Sequence, residues 1–120
     1  MEQQARQVFR QPPSRLNCAQ AVASAWAAKT GQRTRLVEEL AGCGGGGAPG
    51  GVCGALHAVQ RILADGAARK QAETAFAAAA GGALDCRGIR NAGVACVECV
   101  GFAAGWLERH LGGQKKAGNQ

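Results

Sequence analysis

Six cysteines are spread along the chain as Cys18, Cys43, Cys53, Cys86, Cys96 and Cys99. Deprotonated, each could bind a soft metal, attack a disulfide or carry sulfur, because thiolate rather than thiol is the nucleophile and the ligand. Helix starts favour that form, since unsatisfied backbone N–H groups and the positive end of the helix dipole both stabilise an anion. Cys18 follows Asn17, an N-cap residue with Gln20 three positions on, and Cys53 opens an apolar helix-forming segment, so both are expected in a first helical turn. Packing is the plainer reading of any single cysteine, but two such placements in a chain of 120 residues exceed what packing needs. His57, four residues after Cys53, could share its helical face as a thiolate partner or second ligand, although a surface histidine is the simpler reading. Cys96 and Cys99 form a CxxC pair that is expected inside a helix rather than at its start, so shared-face packing competes with exchange chemistry.

The stretch "AGCGGGGAPGGVCGAL" from position 41 leads into Cys53. Successive glycine N–H groups ahead of a helix can surround an anion, whether phosphate, sulfate, thiolate or a cluster sulfide. Gly50, Gly51 and Gly54 are the candidate cofactor-binding positions. No Gly-Lys-Ser/Thr follows, so this is not a P-loop, and no strand precedes it, so it is not a dinucleotide fingerprint. A flexible linker is the alternative.

These residues must be positioned by helices. Glu2 to Gln11 reads as a short amphipathic helix stopped by Pro12 and Pro13. Asn17 caps a second helix in which Cys18, Val22, Ala25 and Trp26 recur at helical spacing until Thr30 and Gly31. Thr34 caps a short "TRLVEEL" helix. Val52, Leu56, Val59 and Leu63 mark a helix ending near Gly66, and "RKQAETAFAAAA" marks another, stopped by Gly81 and Gly82. "DCRGIRN" reads as a polar connection carrying Cys86. Asn91 then caps a last helix with Cys96, Cys99, Val100, Ala103 and Leu107 on one face. The equal spacing from Cys43 to Cys53 and from Cys86 to Cys96 lacks matching flanks and is not a repeat.

The apolar fraction of 47% is mostly alanine, aromatics are few and tyrosine is absent, which favours helices over strands. The expectation is an all-α, compact single-domain bundle of about five or six helices with a glycine-rich loop, its core at about 14–111 and a disordered polar tail at 112–120. The start "MEQQARQVFR" has no apolar signal-peptide core and no window approaches the roughly 18 apolar residues of a membrane span. The chain is therefore expected to be soluble and cytoplasmic, where cysteines serve metal or redox chemistry more often than structural disulfides. Its net charge of +6 comes from scattered arginines and four lysines, two of them in the tail, with no basic stripe interleaved with aromatics, so sequence-specific nucleic-acid binding is not expected.

From about Asn17 to Leu111 the chain resembles a family of redox-active proteins named for its cysteine signature, C_GCAxxG_C_C. "NCAQAV" is similar to the first motif and places its cysteine on Cys18. "GGVCGAL" is similar to the central CGAxxG motif and places the next on Cys53, with Ala58 where the motif ends in glycine. "DCRGI" and "CVECVGFAAGWLE" resemble the last two cysteine segments, giving Cys86 and Cys96. The resemblance implies a compact helical fold and a redox or metal role, without a settled reaction. Cys43 and Cys99 are extra thiols that could be packing, ligands or resolving cysteines.

Because Cys18, Cys53, Cys86 and Cys96 come from four segments, a shared site must be assembled by the fold, unlike the short ligand loop of a ferredoxin. The first expectation is that these four hold an iron–sulfur cluster, zinc or another soft metal. The second is a thiol–disulfide or sulfur-relay protein with Cys53 as attacking thiolate and Cys18, Cys86 or Cys96 resolving it. The third is a helical interaction module with structural cysteines. Either of the first two needs an electron or sulfur donor as partner. The four thiols should converge on one pocket beside the glycine loop, and Cys53 should titrate below the ordinary ~8.5 while Cys99 does not.

Overall fold

A computed structural model describes residues 1–12, 15–31, 35–44, 47–63 and 65–118, with side chains as far as Leu111. Among them are seven helices and no strand: α1 (Glu2–Val8), α2 (Cys18–Thr30), α3 (Leu36–Glu39), α4 (Gly54–Ile62), α5 (Gly66–Ala79), α6 (Cys86–Asn91) and α7 (Cys96–Gly118). A single 3-10 turn, Pro49–Gly51, precedes α4. The expected all-α architecture is therefore observed. The radius of gyration of 13.3 Å matches the ~13–14 Å of a compact chain this long.

The central element is α2, which packs most extensively on α4 and α7 and also touches α1 and α3. Its composition explains that place: Ala19, Ala21, Val22, Ala23 and Ala25 are all fully buried, and methyl-sized side chains let several helices approach one backbone closely. Leu56 and Val59 of α4 and Val100 and Leu107 of α7 fill the space around it. Each buried leucine or valine contributes ~1.5–3 kcal/mol through apolar area removed from water.

Local signals set most helix ends. Asn17 makes a full capping box: its side chain accepts from Gln20 N, and its own N–H donates to Gln20 Oε1 at 3.0 Å. Gly31 closes α2 in the left-handed conformation at φ 69, which glycine adopts without a Cβ penalty. The expected cap at Thr34 lies outside the described residues.

Several boundaries differ from the sequence reading; α1, for one, ends at Val8 rather than Gln11, because Phe9 is extended and pairs with Leu16 in an isolated bridge. Gly66 begins α5 rather than ending α4, because Asp65 accepts from the N–H groups of Ala67 and Ala68. Asn91 is the last residue of α6 rather than the cap of α7. Asp85 accepts from Gly88 N and so turns the expected polar connection into a short helix that Cys86 begins. The last helix starts at Cys96 and continues to Gly118, through most of the expected tail.

Candidate thiol site

Four helix beginnings meet at one place. Cys18 is the first residue of α2, Cys86 of α6 and Cys96 of α7, and Cys53 is the N-cap residue of α4. All four line a single small cavity of about 40 Å³, together with Asn17, Gly44 and Gly54. That volume holds a few waters at most. Cys18 and Cys53 are buried, whereas Cys86 and Cys96 are half-exposed, so the cavity has a deep end and an outer rim.

Backbone and cap interactions fix these sulfurs in place. Asn17 Nδ2 donates to Leu40 O at 3.0 Å and Ala41 O at 2.9 Å, tying the start of α2 to the entrance of the glycine run. Cys53 N donates to Leu84 O at 2.8 Å, and Val52 pairs with Asp85 in an isolated antiparallel bridge. These contacts set Cys53 beside the segment that begins α6 and carries Cys86. Two glycines allow the close approach. A Cβ on Gly54 would stand 2.5 Å from Cys18 Sγ and 2.6 Å from Cys43 O, and a Cβ on Gly44 would stand 2.7 Å from Asn17 Cβ.

Gly54 thus borders the cysteine cavity. Gly50 and Gly51 do not; they line an adjoining groove that meets the cavity at Cys86. Both have left-handed backbone, φ 73 and 72, which accounts for glycine at these positions.

Cys99, treated in the sequence as an extra thiol, is buried and does not line the cavity, but it acts on Cys53. Cys18 and Cys99 are the two thiols that act on the titration of Cys53. The bond from Cys18 works to lower the Cys53 pKa, but the bond to Cys99, burial and the charge of Cys99 together push it up to about 12. Cys99 moves the opposite way, below the ordinary thiol value, chiefly because Cys53 donates to it and despite the cost of burial. The expected activation of Cys53 is therefore reversed. Cys53 stands at the N-cap instead of inside the first turn, is 6% exposed, and faces an acceptor sulfur that keeps its proton in place. Position in sequence suggested a helix start; which thiol would oppose it was set by the packing of α4 on α7.

The CxxC pair also differs from expectation, because α7 begins at Cys96. The pair opens its helix, with Cys96 half-exposed and Cys99 buried. His57 is drawn below its ordinary value by burial and then by Arg61, with a hydrogen bond to Gln60 opposing them; none of these influences comes from a cysteine. Cys43 lends its carbonyl to the packing around Gly54.

Arg90, one of the scattered arginines of the sequence reading, lines the groove beside the cysteine cavity. Its pKa is raised, first by a hydrogen bond with Cys96 and then by the charges of Cys86 and Cys96, with a smaller contribution from Cys18. The signal was present, since Arg90 follows Cys86 by one helical turn, but it depends on "DCRGIRN" being helical.

Among the described residues no three His, Cys, Asp or Glu side chains form a group able to hold a metal ion. The four cysteines nonetheless share one cavity. No helix among the described residues is long and apolar enough to cross a membrane. No protein-family model, no curated protein and no solved structure matches this chain.

Proposed function

We propose that this chain is a thiol redox protein whose clustered cysteines exchange disulfides or relay sulfur. The observation that carries the reading is the meeting of Cys18, Cys53, Cys86 and Cys96 at one cavity. The half-exposed Cys86 and Cys96 are the thiols a substrate reaches first, and the buried Cys53, Cys99 and Cys18 are the reserve that can resolve a mixed disulfide. Oxidation joins two cavity thiols in one S–S bond; the pair gives up two electrons to the oxidant and releases two protons. A reductant returns two electrons and two protons and so restores the dithiol. A reducing, cytoplasmic setting suits thiols that must return to the free state. The likeness to a cysteine-signature family of redox-active proteins agrees with this choice of residues.

A second reading is favoured by the shared cavity itself: Cys18, Cys53, Cys86 and Cys96 as ligands of an iron–sulfur cluster or another soft metal. Anaerobic purification followed by iron, zinc and acid-labile sulfide assays, an absorption spectrum and a free-thiol count separates the readings. The thiol reading expects six free thiols in the reduced protein, reversible loss of a pair on mild oxidation, and no stoichiometric metal. Stoichiometric metal that disappears with Cys53→Ala would replace it with the metal reading. Inert thiols and no metal would leave only structural cysteines.

A further inference from the structure

We propose that the groove bordered by Gly50, Gly51, Arg87 and Arg90 binds a small carboxylate-bearing disulfide and presents it to Cys86. The inference rests on the thiol-exchange reading and adds a substrate class to it. The groove encloses about 360 Å³, within the ~300–1,000 Å³ of small-molecule sites. Among the described residues Cys86 alone lines both this groove and the cysteine cavity, so a ligand in the groove lies against the rim thiol of the cavity.

Charge selects the ligand. Arg87 and Arg90 are exposed along the groove, and a guanidinium fork matches a carboxylate in shape as well as sign. Among the described residues the single acidic one lining it, Asp85, is held by accepting Gly88 N at 3.0 Å and stands against two arginines. Arg90 follows Cys86 by four positions in α6, on the same side of the helix, so a carboxylate held there is tethered beside the thiol. The opposite wall has no side chains: positions for a Cβ on Gly50 and Gly51 have nothing within 4 Å. The Val52–Asp85 bridge and the Cys53 N–H bond to Leu84 O keep the two walls together. Arg90 also contacts Cys96, linking the groove to the second rim thiol.

The chemistry balances without another reactant. The Cys86 thiolate attacks one sulfur of the substrate disulfide; that S–S bond breaks, a mixed disulfide forms on Cys86, and one substrate thiol leaves with a proton. The Cys96 thiolate then attacks Cys86 Sγ, forming a protein disulfide and releasing the second substrate thiol, also protonated. Two protein thiols lose two electrons and two protons, and the substrate disulfide gains them.

The test uses fully reduced full-length protein with two probes: glutathione disulfide, which carries carboxylates, and 2-hydroxyethyl disulfide, which carries no charge. Rates of Cys86 modification are followed by quenching and mass spectrometry, each divided by that probe's rate with free cysteine. The expected ratio favours glutathione disulfide by about tenfold and falls toward one in Arg87→Gln/Arg90→Gln and, in the unaltered protein, at about 0.5 M salt. The salt series gives the same readout should the double variant lose its helical circular dichroism. Equal corrected rates for both probes would overturn the groove assignment while leaving thiol exchange standing. A preference that survives both salt and substitution would overturn the arginines' role. Failure of both probes to modify any cavity cysteine would overturn the thiol-exchange reading, and this inference with it.

Discussion

Cys53 lies between two thiols, Cys18 and Cys99, and the two contacts act on it in opposite senses. Donation to Cys99 and the charge there hold the Cys53 proton, so removing Cys99 should release it. In Cys99→Ala the pH at which Cys53 becomes alkylatable should move down from about 12, measured by alkylation rate against pH with residue-resolved mass spectrometry. An unchanged or higher titration point would show that burial rather than Cys99 controls Cys53. Stability follows from the same pair. An unfolded thiol releases its proton near 9.0 and folded Cys53 only near about 12, so across that window the native state binds more protons and Cys53's contribution declines as pH rises. Cys99, whose folded value is depressed, contributes stability that is present above the unfolded value and lost as pH falls through its folded value. The melting temperature of the reduced protein should therefore decline between pH 9 and 12, and decline less in Cys99→Ala. Equal slopes in the two proteins would contradict the pairing.

At the scale of the element, the site depends on how α2 begins. Asn17 both caps that helix and reaches the carbonyls of Leu40 and Ala41. Loss of the cap in Asn17→Ala should cost ~1–2 kcal/mol in denaturant unfolding. Asn17→Asp keeps the cap oxygen but not the donor, so it should fall between the two and loosen the glycine run, seen as faster hydrogen exchange at Cys43 and Gly44. If the Asp variant matched the Ala variant in stability, the cap would not be the stabilising part. Gly54→Ala tests the close approach of α4 to Cys18. The added methyl has Cys18 Sγ and Cys43 O in its place, and overpacking of this kind costs ~1–3 kcal/mol; a neutral result would mean that the two helix starts are not in firm contact.

These elements also mark what sequence could reveal. The capping box at Asn17 and the left-handed glycine at Gly31 are local devices, and local chemistry is enough to read them. The start of α6 was hidden because "DCRGIRN" is polar and short, and only the Asp85 cap makes it helical. Asn91 looked like a cap by residue type, yet it falls inside that same turn. The error placed Cys96 within a helix instead of at its head and so undervalued the CxxC pair.

For the whole molecule, the helical class was legible from alanine content and from the lack of alternating apolar patterns, because those averages do not depend on which helix touches which. The four site cysteines were legible from their motif contexts. The partnership of Cys53 with Cys99 was not, since α4 and α7 are far apart in sequence and meet only through packing. The alanine-lined centre predicts intolerance of volume: Ala21→Leu, at a fully buried position of α2, should destabilise by ~1–3 kcal/mol, whereas Ala28→Leu on the partly exposed part of that helix should be near neutral. Comparable losses at both sites in urea titrations would mean that α2 is not the packed axis described.

The central claim is that cysteines gathered from distant segments act as one reversible redox unit. It is tested most directly by equilibrating the protein in buffers of graded thiol/disulfide ratio, trapping free thiols with acid and alkylation, and mapping every cysteine by mass spectrometry. The account predicts a single two-electron transition, reversible in both directions, in which the disulfide formed joins two of Cys18, Cys53, Cys86, Cys96 and Cys99 within one molecule while Cys43 stays free. Oxidation that appears only as links between molecules, or that involves Cys43 before any cavity cysteine, would contradict it.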